Sequence, residues 1–343
     1  MDRGASNALI MELQTMRPQF LMSAGTSYSA TTPLYFTLAE VQKYCHAGVQ
    51  KENGYLKLMN AHLFETHATN LWKKNYTKFL VGRGSDNQEW IKKVDDRKFI
   101  NVEETKELFS KEYTLKNYYD YYVRHYNRIK GTYHAVSDFT NYNFELPEDF
   151  LIQWRDQMSE FFDIKITFVF RDPIRRYFSE VGKFIQGQVL LPGYMHAFKI
   201  KHNAYVKKKK HIKLFELYLK TPDRDPGDRQ FDYITHIKKF ERVFGKERVF
   251  PIVMEQFWNP ERQAEVFEKL SDFLGYKITK AHENVYYPDR GSQAPQVEGL
   301  SDQWGSDFED ITPQLYEWAK QHLGYIYSEW ENHYGSLPEE WNC

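Results

Sequence analysis

Arg171 and Ser179 close the run IKITFVFRDPIRRYFS over residues 164–179, and together they could grip an anion. A guanidinium offers a planar fork of donors that fits a phosphate, and a Ser hydroxyl a turn or two along a helix can reach the same group from the side. Ile164, Ile166, Phe168 and Phe170 alternate with Lys165, Thr167 and Val169, a β-branched and aromatic pattern that predicts a largely buried strand. Arg171 falls at the carboxyl end of that strand and Pro173 opens the helix after it. Open α/β sheets bind their ligands at such ends.

A second anion site is read near residues 19–38, QFLMSAGTSYSATTPLYFTL. An apolar run, then small and hydroxyl residues, then an amphipathic segment give the order strand, loop, helix that a phosphate-cradling turn needs. Gly25 lets the backbone turn, Ala30 stays small for close approach, and Thr31 and Thr32 add hydroxyl donors before Pro33. The chain contains no G-x-x-x-x-G-K-[ST] loop, which counts against a nucleotide kinase of the P-loop type.

The spacing R-D-P-x-x-R-x-x-S, formed by Arg171, Asp172, Pro173, Arg176 and Ser179, resembles the segment with which sulfotransferases hold the 3′-phosphate of 3′-phosphoadenosine 5′-phosphosulfate (PAPS). The early loop is similar to the 5′-phosphosulfate loop of the same family, which the resemblance aligns with Ser27, Tyr28, Ser29, Ala30, Thr31 and Thr32. Tyr28 stands where that family commonly has a cation, and Ala30 where it has glycine. Lys51 and Glu52 in QKENGY resemble the Lys-Glu pair on the acceptor side of many carbohydrate sulfotransferases, with Gly54 in the position of a histidine. The resemblance implies that Glu52 takes the proton of the acceptor hydroxyl; Lys51 or a residue from an insertion is the candidate replacement for the loop cation, a slow or inactive enzyme being the other outcome. A solvent-exposed Lys-Glu pair is the alternative.

GTYHAVSDFTNY at 131–142 is similar to a further family segment, with Ser137 matching its hydroxyl residue; His134 and Asp138 either face the acceptor or satisfy a strand end. Tyr233 resembles the tyrosine of the helix before the last strand, and the stretch from Arg248 to Gly275 resembles the family's last strand, acidic turn and helix. Arg290 and Gly291 resemble the loop that closes over the 3′-phosphate and adenine. The resemblance therefore implies a PAPS-dependent sulfotransferase leaving 3′-phosphoadenosine 5′-phosphate (PAP), without a metal, acting in line on a hydroxyl acceptor of carbohydrate type. The other reading is a protein that binds PAP and sugar without turnover.

These motifs run from residue 25 to residue 291 and need one scaffold to gather them. Strands are expected near 19–24, 47–50, 131–136, 164–170 and 249–254, and helices near 32–44, 149–161, 173–185, 231–244 and 260–274. Such alternation predicts an α/β fold: one domain over 1–343 with a central parallel sheet flanked by helices, similar to the P-loop-NTPase-like sulfotransferase fold. Helical insertions are expected over about 60–130 and 186–230. The first carries NYYDYYVRHYNR, either a sugar-stacking surface or a half-buried helix face; the second carries Lys207 to Lys210, either an acceptor-steering patch or a solvated one. ITPQLYEWAKQHLGYIYSEWENHYG reads as an amphipathic helix rich in aromatics.

With 343 residues and a net charge of −1, the chain can bury a large core and carries no global basic field for nucleic acid. Two cysteines make no disulfide framework, and the twelve histidines show no metal-binding spacing. No apolar run is long enough to span a bilayer and no signal-peptide core opens the chain, so it reads as soluble and cytoplasmic.

Overall fold

In the computed structural model the described residues are 17–25, 31–48, 54–56, 59, 104, 107–109, 112–141, 143–176, 232–281 and 307–341, with side chains from 317 in the last of these. Five strands form one sheet: β1 (Gln19–Ser23), β2 (Cys45–His46), β3 (Ala135–Asp138), β4 (Asp163–Phe170) and β5 (Val249–Val253). Every pairing is parallel, in the order β2-β3-β1-β4-β5. The sheet is flanked by helices, as the alternation of patterns predicts.

The register gives each face its own core. Phe20 and Met22 of β1 join Phe168 and Phe170 of β4 on one side, while Leu21 and Val169 join Ile252 of β5 on the other. A period of two in the strands thus fills both faces, which is why β4 is buried along nearly its whole length. Pro251 lies within β5, at the end of the strand order, where a missing N–H costs no ladder bond.

The helices follow their local signals. α1 (Thr31–Phe36) continues into a π-turn at Thr37–Val41, and α2 spans Leu115–Ile129 after the Thr114 cap, whose side chain accepts from Asn117 N at 3.1 Å. α3 (Glu148–Met158) precedes β4, and α4 (Tyr233–Phe244) precedes β5. A short α5 (Met254–Trp258) leads into α6 (Pro260–Leu274), which opens on an Asn259 cap with Pro260 behind it and stops at Gly275 with φ 62°. Last comes α7 (Asp307–Tyr334), whose Ala319, Leu323, Ile326 and Trp330 are buried at helical spacing.

Three expectations need correction. The strand expected over 47–50 lies earlier, at Cys45–His46, and Gly48 at φ 82° already turns the chain. The strand expected over 131–136 begins only at Ala135, because Gly131 at φ 93° starts a turn in which Thr132 N and Tyr133 N both donate to Ile129 O. The stretch expected to be an insertion over 60–130 contains a core helix. Tyr118, Tyr122 and His125 of α2 are fully buried, and Phe20 of β1 packs edge-on to Tyr122 with ring centroids 4.8 Å apart. Those tyrosines fill the core and offer no face to a sugar. The stretch expected to be a second insertion, 186–230, lies outside the described residues, as does Lys207 to Lys210. Among the described residues no helix is long and apolar enough to cross a membrane.

Candidate functional site

β1 sits in the middle of the sheet, and the chain visits β2 and β3 on one side of it before crossing to β4 on the other. Such a switch in direction opens a crevice beside the carboxyl ends of the strands. Arg171 follows β4 into this crevice. Its main-chain carbonyl accepts from Tyr233 Oη at 2.9 Å, and burial works against its charge while Glu255 supports it.

Asp172 is buried and caps the next turn, its Oδ1 accepting from Arg175 N at 2.8 Å and its Oδ2 from Tyr327 Oη at 2.9 Å. The Asp172 N–H donates to Glu255 Oε1 at 3.0 Å, and Glu255 Oε2 accepts from Trp341 Nε1 at 3.1 Å. Burial raises the pKa of both carboxyls, and the hydrogen bonds and Arg171 hold them down. Arg176, fully buried, hydrogen-bonds Tyr233. Arg171, Arg175 and Arg176 thus gather with the carboxyls of Asp172 and Glu255 at the carboxyl end of β4.

The turn after β1 lies against β4. Ala24 N donates to Thr167 O at 2.8 Å, and a Cβ added at Gly25 would come within 3.0 Å of Val169 N and 2.9 Å of Thr31 Cγ2. Close approach is therefore what Gly25 provides, rather than the turning freedom expected of it. Thr31, at the head of α1, is buried and its Oγ1 meets Asn141 Oδ1 at 2.6 Å; Thr32 stands beside it, half-buried. That bond joins the turn after β1 to the segment after β3.

The same segment holds a third turn. Asp138 ends β3 fully buried, its Oδ2 accepting from Tyr118 Oη at 2.7 Å and its Oδ1 from Thr140 N and Oγ1 at 2.9 and 2.7 Å. Thr140 Oγ1 in turn accepts from Gly54 N at 3.0 Å, and Gly54 has φ 63°. Three sets of described carboxyl-end residues thereby converge beside β1: Ala24 and Gly25 with Thr31 and Thr32, residues 138–141 with Gly54, and residues 171–176.

Of the residues singled out in the sequence, Gly25, Thr31, Thr32, Asp138, Arg171, Asp172 and Arg176 lie at this end of the sheet. Tyr233 is fully buried and supports Arg171 from behind, so it presents no surface to a nucleotide. His134 is a correction. It precedes β3 at the amino end of the sheet, exposed and stacked on Tyr44 with centroids 5.8 Å apart, because the strand starts after it. Ser137 is buried within β3 and does not reach the crevice.

Ser27, Tyr28, Ser29, Ala30, Lys51, Glu52, Ser179, Arg290 and Gly291 lie outside the described residues. Glu255, Thr140 and Asn141 are the residues that local patterns miss, since each acts through a partner far along the chain. An acid directly after an apolar strand was the available signal for Glu255. Among the described residues no group of three or more His, Cys, Asp or Glu side chains could hold a metal ion.

No protein-family model matches the chain, and no curated protein matches it. Among solved structures it is similar to a sulfotransferase from Alicyclobacillus acidocaldarius, with a TM-score of 0.49 and 15% identity over 96% of this chain and 100% of that one. It is also similar to sulfotransferase STF9 from Mycobacterium avium, with a TM-score of 0.41 and 12% identity over 97% of this chain and 82% of the other. At those values neither likeness assigns this chain an activity or a residue role.

Proposed function

We propose that the protein transfers a sulfuryl group from PAPS to a hydroxyl-bearing acceptor of carbohydrate type. One observation carries the reading: the turn after β1 and the R-D-P turn after β4, separately similar to the two phosphate-holding segments of sulfotransferases, leave neighbouring strands at the same end of the sheet. In this reading Arg171, with Arg175 near it, takes the 3′-phosphate, and Thr31 and Thr32 with the main chain at Gly25 take the 5′-phosphosulfate. PAPS, when bound, supplies the sulfuryl group.

The chain's own part is position and charge. Arg171 keeps a cation in a poorly solvated crevice, where its attraction for an anion is less screened than in water. Asp138, through Thr140, holds Gly54, which follows Glu52 by two residues in the sequence. Glu52 accepts the proton of the acceptor hydroxyl as the new bond to sulfur forms.

Calorimetric titration with PAP tests the donor assignment. PAP should bind, AMP lacking the 3′-phosphate should bind at least about tenfold more weakly, and Arg171→Ala should remove most of that difference. Equal affinity for PAP and AMP overturns the reading. A non-catalytic PAP-binding protein is the second reading, favoured by Tyr28 in the place of the loop cation. Tight PAP binding without transfer to any of a broad panel of polysaccharides, glycolipids and phenols would select it.

A further inference from the structure

At the opposite end of the sheet, a cavity of about 410 Å³ opens beside the start of β4. Its apolar lining is Phe162, Ile164 and Phe244, all buried. Three arginines from separate segments line it as well: Arg17 before β1, Arg155 of α3 and Arg248 before β5. In a chain whose net charge is −1, such a grouping does not follow from composition.

Each guanidinium is fixed by a main-chain carbonyl. Arg17 Nη1 donates to Ser159 O at 2.7 Å, Arg155 Nη1 to Val243 O at 2.6 Å, and Arg248 Nη1 to Ile164 O at 3.2 Å. The carbonyls at the ends of α3 and α4, which would repel an anion, are thereby turned onto cations. Carboxylates balance only part of the charge. Asp156 accepts from Arg155 at 2.6 Å, Asp163 accepts from Arg248 at 2.6 Å while lying 4.0 Å from Lys165, and Glu247 lies 4.0 Å from Arg248. Among the described residues Arg17 has no carboxylate partner, and with five N–H donors on each guanidinium most of the cluster's donors meet no described acceptor.

We infer that this cavity is a second binding site, for a small sulfate or phosphate monoester with an apolar ring or chain: the arginines take the oxyanion and the phenylalanine floor takes the body. Ligand pockets commonly combine an apolar lining with a few placed polar groups in this way. The site is independent of the proposed donor crevice. Asp163 and Arg171 stand at the two ends of β4, separated by roughly 25 Å of extended chain.

Titration of the full chain with phenyl phosphate, phenyl sulfate and inorganic phosphate tests the assignment, the first two arms separating phosphate from sulfate. At least one ester should bind saturably and more tightly than inorganic phosphate. Arg155→Lys and Arg248→Lys, which keep the charge and lose the fork, and Arg17→Gln should each weaken ester binding by about three- to tenfold, modest because the groups are partly solvated. Arg171→Ala should leave it unchanged. Arg17 is exposed, so its variant keeps the test valid should an inner variant fail to fold. Absence of saturable ester binding, binding that every folded pocket variant retains in full, or an equal loss in Arg171→Ala overturns the inference.

Discussion

Glu255 reaches the main-chain N–H of Asp172 at 3.0 Å and thereby ties the turn that carries Arg171 to α5, directly after the neighbouring strand β5. Its other oxygen meets Trp341 at 3.1 Å, so one carboxylate joins three parts of the chain that are distant in sequence. Burial raises its pKa, and those bonds and Arg171 act in the opposite direction.

Removing it should be severe. Glu255→Ala leaves two donors unpaired and takes away the charge that supports Arg171, for a loss of about 2 to 4 kcal/mol. Glu255→Gln retains one acceptor and should cost less than half as much. Urea unfolding of both variants checks the order; equal stability of Glu255→Ala and the parent would dispose of the bracing role.

Gly25 should tolerate no side chain. The atom nearest its missing Cβ within β4 is the main-chain nitrogen of Val169, which cannot swing aside as a side-chain tip can. Gly25→Ala should therefore destabilise by about 1 to 3 kcal/mol and weaken PAP, since the turn must leave β4 to make room. A variant as stable as the parent would mean that the turn relaxes freely.

Asp138 should separate folding from turnover. Asp138→Ala unpairs Tyr118 and frees Thr140, and through it Gly54, for about 2 to 4 kcal/mol. Asp138→Asn preserves the shape and an acceptor for Thr140, so it should fold well yet lower kcat with PAP affinity unchanged. An unaltered kcat in a folded Asp138→Asn protein would uncouple this network from the acceptor side.

Glu52→Gln distinguishes enzyme from binder. The amide keeps the size of the side chain but cannot take up a proton, so turnover should fall by roughly 10²- to 10⁴-fold at constant PAP affinity. Labelled PAPS with an accepted sugar gives the measurement. Retained turnover would move the base elsewhere, and His134 is not its successor, being at the wrong end of the sheet.

A buried histidine pair sets an acid limit. His46 Nδ1 and His125 Nε2 are 2.9 Å apart, His46 Nδ1 also accepts from Gly48 N at 3.0 Å, and burial, His46 and Arg128 push the His125 pKa down. The unfolded His125 binds a proton near its ordinary value of 6.5 and the folded one resists it, so stability is full above that pH and is lost as pH falls below it. Between pH 6.5 and 5.5 the loss should be about 1 kcal/mol. The buried carboxyls Asp138 and Glu255, with raised pKa values, act in the opposite sense, so the measurement is the difference in slope between the parent and His125→Gln. Parallel slopes would exclude His125 as the source.

Local pattern made the sheet legible because its strands announce themselves: Phe20 and Met22 against Leu21, and Phe168 and Phe170 against Val169, carry the period of two on their own. Arg171 was equally visible, as a charge ending an apolar run. Tyr118, Tyr121 and Tyr122 left open a sugar-stacking surface or a half-buried helix face, and their helical spacing with His125 and Ile129 was the guide to the buried face that is found. His134 misled because a strand expected four residues too early carried it toward the wrong end. No local reading yields Glu255 with Trp341, or Thr31 with Asn141, since each such bond exists only once the strands have been ordered.

The central place of β1 also governs how the molecule is made. β1 is completed within the first 23 residues, yet its partners are β3 from Ala135 and β4 from Asp163. At ribosomal rates, on the order of ten seconds pass between the emergence of QFLMS and that of its second partner. For that interval an apolar strand with both edges unpaired is open to other nascent chains. Slower growth temperatures and holding chaperones should raise the yield of folded protein more than any substitution at the surface.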